Sequence, residues 1–132
     1  MNVGDVVAER TVKIERVNLV MYAGASGDFN PIHWNEAFAK AVGLPDVIAH
    51  GMYTQAQLSR LLVELAGGDP GRIQSFSVRF SAPVVVPDSG GADLALRAEV
   101  VSVDAGVATV AMTARSGDAD VVKDAVATLR VV

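Results

Sequence analysis

One change of hydrophobic period constrains this chain more than any other feature: a long helical stripe gives way to nothing but two-residue alternation through to residue 132. Over residues 49–66, Leu58, Leu61, Leu62 and Leu65 recur at the three- and four-residue spacing of one helix face, and Met52 and Ala56 form a second apolar line. A helix apolar over that much of its circumference is expected to be buried on most sides. Gly67-Gly68-Asp69-Pro70-Gly71 stops it, a dense run of residues that favour turns over helix. Beyond the stop, Phe76, Val78 and Phe80 alternate with Ser75, Ser77, Arg79 and Ser81, and Leu94, Leu96, Ala98 and Val100 repeat the strand period. Asp104-Ala105-Gly106 reads as a hairpin turn, and residues 107–114 and 121–132 read as two more strands joined through Ser116-Gly117-Asp118. With an opening strand over residues 6–14, the pattern predicts about five antiparallel strands against one long helix, an α+β layer arrangement.

Between the opening strand and the stripe lie smaller elements. Residues 15–23 carry Leu19, Val20 and Ala23 at helical spacing, and residues 24–27, with two glycines, are expected to break that helix. Asp28-Phe29-Asn30-Pro31-Ile32-His33 must be largely non-helical, because Pro31 disfavours helix at Asn30. A short helix is predicted from Asn35, a suitable N-cap, to Gly43, a suitable residue just past a C-cap. The whole length, 1–132, fits a single domain.

Composition closes several classes. With no cysteine, the chain has no disulfide framework, no thiolate nucleophile and no Cys-ligated metal. Its net charge of −4 is scattered and offers no basic stripe for a phosphate backbone, so no nucleic-acid partner is expected. No window reaches the roughly 18 unbroken apolar residues of a membrane span, and Met-Asn-Val-Gly-Asp lacks a basic-then-apolar leader. The expected location is cytoplasmic.

The chemistry-bearing residues concentrate around the only two histidines, His33 and His50, each in a small-residue-rich segment beside a helix start. Around an Asn-Pro turn, Asp28 and His33 can face one cavity and share a water. Such a carboxylate–imidazole pair supplies the acid and base that hydration of a conjugated thioester requires. The developing enolate oxygen also needs a donor. Gly51, at the first turn of the long helix, lets a substrate approach an unpaired backbone N–H at the positive end of the helix dipole. Each residue has a plainer reading as well. Asp28 to Pro31 alone is a common structural turn, and a histidine such as His50 is more often a packing residue than a catalyst. Asp28, His33 and His50 together match no helix-borne metal motif, so no metal site is expected.

Read as a block, residues 22–33 (Tyr-Ala-Gly-Ala-Ser-Gly-Asp-Phe-Asn-Pro-Ile-His) resemble the hydratase motif of the MaoC-like (R)-specific enoyl-CoA hydratases. Ile48-Ala49-His50-Gly51-Met52 and Val78-Arg79-Phe80-Ser81-Ala82-Pro83 extend the resemblance in the same order along the chain. The run from Gly24 to Met52 looks still more like the catalytic B-type subunits of mycobacterial-type (3R)-hydroxyacyl-ACP dehydratases. The resemblance implies a hot-dog fold, a curved antiparallel sheet wrapped around the long helix. It implies interconversion of trans-2-enoyl and (3R)-3-hydroxyacyl thioesters of CoA or acyl carrier protein in fatty-acid metabolism. Asp28 and His33 would be the catalytic pair, Asn30 would order their turn, Gly51 would be the oxyanion donor, and Ser59 would match a supporting polar position. No cofactor or metal is implied. Two such units pair, either as a homodimer or as a heterodimer with an A-type hot-dog subunit. The rival expectations are a non-catalytic acyl-binding or partner subunit and a hot-dog thioesterase; the latter usually needs an acid near the start of the central helix, where this chain has His50-Gly51-Met52.

Overall fold

The computed structural model describes residues 1–131. In chain order it contains β1 (Val6–Ile14), α1 (Arg16–Ser26), α2 (Glu36–Ala41), α3 (Gly51–Leu65), β2 (Ile73–Phe80), β3 (Ala92–Asp104), β4 (Val107–Ser116), the two-residue β5 (Ala119–Asp120) and β6 (Val122–Arg130). Single 3-10 turns occupy Pro31–His33 and Pro70–Arg72. The predicted strand over 121–132 is thus β6, and Val132 lies outside the described residues.

The strands form one antiparallel sheet in the order β1-β3-β4-β6-β2, with β5 paired to β4. The two-residue period of β3 buries Ala92, Leu94, Leu96, Ala98 and Val100 on one face, and the first four share a core with Leu58, Leu61 and Leu62 of α3. This is the hot-dog arrangement, and the leucine stripe is its filling. Each such leucine contributes roughly 1.5–3 kcal/mol by leaving water. The Ala105-Gly106 turn between β3 and β4 has positive φ at both residues, 50° and 78°, which matches the right-handed twist of the strands it joins. Among the described residues no helix is long and apolar enough to cross a membrane.

Two expectations need correction. The helix expected to break at Gly24 continues through it, because a mid-helix glycine costs only about 1 kcal/mol and Gly24 needs no unusual backbone angle. The stop comes at Gly27, whose φ of 77° turns the chain left-handed while its N–H closes on the Ala23 carbonyl at 2.9 Å. Second, α3 is not covered all round. Met52 is 55% exposed and, with Ala56 and Ser59, lines an open depression of about 560 Å³. Strand β2 forms one edge of the sheet, and β6 is paired on both sides, by β4 and β2.

What sets the site in place is a half-buried arginine at the start of α1. The Arg16 guanidinium bonds the Asp46 carboxylate, reaches Glu36 of α2 at 3.4 Å and donates to the Val86 carbonyl at 3.1 Å. It thereby clamps α1, α2 and two loops together, and the 27–35 segment is strung between its anchor points.

Candidate active site

The segment after α1 is folded by its own short polar side chains. The Asp28 N–H donates to Ser26 Oγ at 3.2 Å, Asp28 Oδ1 accepts the Asn30 N–H at 3.2 Å, and Asn30 Oδ1 accepts the Ile32 N–H at 3.3 Å. Asp and Asn favour turns for this reason, since their side chains bond backbone two residues on. Pro31 then opens the 3-10 turn that carries His33 inward to 7% exposure. The Asn30 side chain thus contributes one of the bonds that shape the turn.

His33 is held through its Nδ1, 2.7 Å from the Ile48 carbonyl oxygen. A carbonyl can only accept, so Nδ1 carries the hydrogen, and in the neutral ring the lone pair sits on Nε2. Nε2 faces Asp28 Oδ2 at 3.9 Å. That gap is too long for a direct hydrogen bond and is one that a single oxygen atom can bridge by bonding both groups. Asp28 divides its work: Oδ1 holds the turn while Oδ2 faces the imidazole. The side chain of His33 is 8% exposed and that of Asp28 54%, so the pair straddles the boundary between core and solvent.

Desolvation is the main influence on His33 and holds its pKa below the usual 6.5. The Ile48 carbonyl and the Asp28 charge pull upward, His50 pulls further downward, and the net direction is down. A neutral imidazole is the base form. The acid limb of kcat/KM for hydration is therefore expected to have its midpoint below the ordinary histidine value, with activity already full near pH 7 and falling only in acid. A pH–rate profile checks this, and a midpoint above 6.5 contradicts it.

Gly51 is the first helical residue of α3, so its N–H has no acceptor within the helix. A Cβ built on it would lie 3.2 Å from the Phe80 ring, and the residue lines a depression of about 420 Å³ with Ile48, Thr54, Phe80 and Pro83. Its φ is not positive, so what glycine supplies here is room beside the Phe80 ring, which a Cβ would crowd.

The residue that sequence reasoning undervalued is His50. It is 2% exposed, its ring stacks on that of His33 with centroids 3.7 Å apart and planes 20° apart, and its Nε2 lies 3.1 Å from the Asp28 carbonyl oxygen. The available signal was its position as the only other histidine, directly before Gly51. Asp28, His33 and His50 offer ligand atoms within 4.8 Å of one another. Their geometry does not suit a metal, because an ion bound to both imidazoles must lie in both ring planes. Planes stacked at 3.7 Å and tilted by 20° meet well beyond the metal–nitrogen distance of roughly 2.0–2.1 Å.

Ser59 stands apart from this cluster. It lies about 12 Å along α3 from Gly51 at the helical rise, faces the separate 560 Å³ depression, and donates its hydroxyl to the Gln55 carbonyl at 3.0 Å. Glu64, the one acid on α3, is at the far end and paired with Arg10.

An imidazole lone pair, a facing carboxylate and a free amide at a helix start can together move protons at a carbon next to a carbonyl and hold the charge that develops on its oxygen. Comparison with known proteins points the same way. A 3-hydroxyacyl-thioester dehydratase X of Mycobacterium tuberculosis is 40% identical over 80 residues, covering 61% of this chain and 27% of that protein. A solved MaoC-like dehydratase superposes with a TM-score of 0.96 at 37% identity, covering all of this chain and 41% of the other. The (R)-hydratase from A. caviae involved in PHA biosynthesis superposes with a TM-score of 0.87 at 26% identity, over 100% and 98% of the two chains. The chain spans only 3% to 27% of the length of such curated relatives. The family profile described as "MaoC like domain" matches residues 3–122, nearly the whole chain. With its fold, its hydratase-type turn and that match in agreement, the chain belongs to the MaoC-like dehydratase domain family.

Proposed function

We propose that this chain is a hydro-lyase that interconverts trans-2-enoyl and (3R)-3-hydroxyacyl thioesters, carried on CoA or acyl carrier protein, in fatty-acid metabolism. The observation that carries the reading is the bare Nε2 of a buried, carbonyl-anchored His33 facing Asp28 Oδ2 across 3.9 Å, with the Gly51 amide at the adjoining helix start. In hydration, a water held between the two groups adds its oxygen to C3 of the enoyl chain. The pair takes one proton from that water and returns one to C2. His33 Nε2 takes the proton from the water, and the pair, holding it as one titrating unit, returns a proton to C2, so it ends each turnover with the protons it began with. The Gly51 N–H stabilises the enolate oxygen that forms between the two events; one such donor is worth roughly 3–4 kcal/mol. Dehydration is the same path reversed.

Assembly is part of the reading. Val20 and Met21 of α1 and Met52 of α3 are more than half exposed, and a second hot-dog unit, either a copy of this chain or an A-type subunit, would cover them. The thioesterase alternative has no acid at the start of α3 to support it, since Glu64 lies about 20 Å away along the helix.

Both groups of the pair lie on one short turn, so water and proton should reach the same face of the substrate. The test is hydration of crotonyl- and longer enoyl-CoA in deuterated water, by this chain alone and with an A-type protein added, followed by chiral analysis. The expected product is the (3R)-hydroxyacyl thioester with deuterium syn to the new hydroxyl. Absence of hydration in both settings removes the reading, and a (3S) or anti product removes the geometry.

A further inference from the structure

His50 has one conspicuous defect. Its Nδ1 is the fully buried side-chain atom that lacks a hydrogen-bond partner among the described residues. Buried polar atoms are nearly always paired, and an exception calls for a reason. A side chain present only to fill this space could be apolar and would leave nothing unpaired. The ring instead does two things an apolar residue could not do together. Its Nε2 lies 3.1 Å from the Asp28 carbonyl, which can only accept, so Nε2 carries the hydrogen and Nδ1 the idle lone pair. Its face lies flat on His33, and Tyr22 packs against it edge-to-face with centroids 4.8 Å apart.

Both contacts reach groups that need support. The Asp28 side chain is more than half exposed, so side-chain packing does little to fix it, and the hydrogen bond from His50 ties its backbone to the start of α3, 22 residues further along. His33 has one in-plane anchor, Nδ1 on the Ile48 carbonyl, which leaves the ring free to rock about that bond. A parallel ring at 3.7 Å blocks the rocking. Through one residue at the helix start, the two members of the acid–base pair and the neighbouring Gly51 amide are referred to a single rigid frame.

We propose that His50 is the positioning residue of this site: its Nε2–H holds the Asp28 carbonyl and its ring face fixes His33, setting the 3.9 Å gap between the two. The inference rests on the hydratase reading above. His50 does not itself exchange a proton with substrate.

Three variants separate the two contacts. His50→Gln keeps a donor at the Nε2 position and loses the stack, His50→Phe keeps the stack and loses the donor, and His50→Ala loses both. Loss of positioning lowers kcat and leaves KM nearly untouched. We expect His50→Ala to lose about thirtyfold or more in kcat, with His50→Gln and His50→Phe each recovering part of it and KM within about threefold throughout. A purely structural role would lower the folded fraction of each variant and leave the kinetic pH profile where it was. Here the titrating groups that face the ring are Asp28, His33 and Tyr22. Removing His50 takes away an influence that lowers the His33 pKa, so the acid limb should move to higher pH. If His50→Ala fails to fold, the Gln and Phe variants carry the comparison.

His33 can also be followed without activity, by NMR titration of its ring in the parent chain and in His50→Gln. A parent chain that hydrates no enoyl thioester defeats the functional reading, whereas the NMR shift tests the contact alone. An unchanged His33 midpoint together with equal kcat in the parent chain and all three variants overturns the proposal.

Discussion

His33→Ala and Asp28→Asn are each expected to lower kcat for hydration at least about a hundredfold, the loss associated with removing a general acid or base. The two changes differ in what else they do. Asp28→Asn is nearly isosteric at a half-exposed position, and Asn30 N–H still finds an oxygen at residue 28, so the thermal midpoint should barely move. His33→Ala strips the Ile48 carbonyl of its partner, and an unpaired buried acceptor costs about 1–3 kcal/mol. His33→Asn is the cleaner control, because an amide nitrogen at the Nδ1 position can still donate to Ile48 while no base remains at Nε2. Initial rates with an enoyl-CoA substrate, alongside a circular-dichroism melt, read both effects. Near-native turnover in Asp28→Asn or in His33→Asn would falsify the assigned pair.

The second large effect is on stability. Leu58 and Leu62 are fully buried between α3 and the sheet, and truncating either to alanine removes most of a side chain from a close-packed core. Such changes cost about 2–5 kcal/mol, a large share of the roughly 5–15 kcal/mol that holds a typical domain folded. Met52→Ala, about two to three turns away on the same helix but 55% exposed, should cost under about 0.5 kcal/mol in the isolated chain. Urea titrations at one fixed protein concentration compare the three, because self-association would otherwise add to the apparent stability. Equal losses at Leu58 and Met52 would mean that the open face of α3 is covered after all.

Local patterns determined much of this protein before any coordinates. The apolar lines from Met52 to Leu65 and their glycine stop specified the central helix, since a period near 3.6 held over about four turns cannot be mistaken for a strand. The alternation after residue 73 specified the strands, and Asp104-Ala105-Gly106 a two-residue hairpin between two of them. Asp28-Phe29-Asn30-Pro31-Ile32-His33 specified much of its own turn, because three of the side-chain bonds that shape it join residues two positions apart. Other features depend on residues far apart in the chain, and there local pattern falls silent. Whether β2 or β6 forms the edge follows from strand order, and both strands carry the same alternation. Gly24 and Gly27 look alike in sequence, but only the second sits where the chain must leave the helix axis. Ser59 and Gly51 share a helix, and only the fold shows that they open into separate depressions. His50 is the sharpest case. Its neighbours in sequence are alanine and glycine, whereas its neighbours in space are Asp28, His33 and Tyr22, brought to it by one turn and the helix before it. A hydrogen bond spanning 22 residues and a stack spanning 17 leave no periodicity to read, because distance through space, and not spacing along the chain, sets their energy.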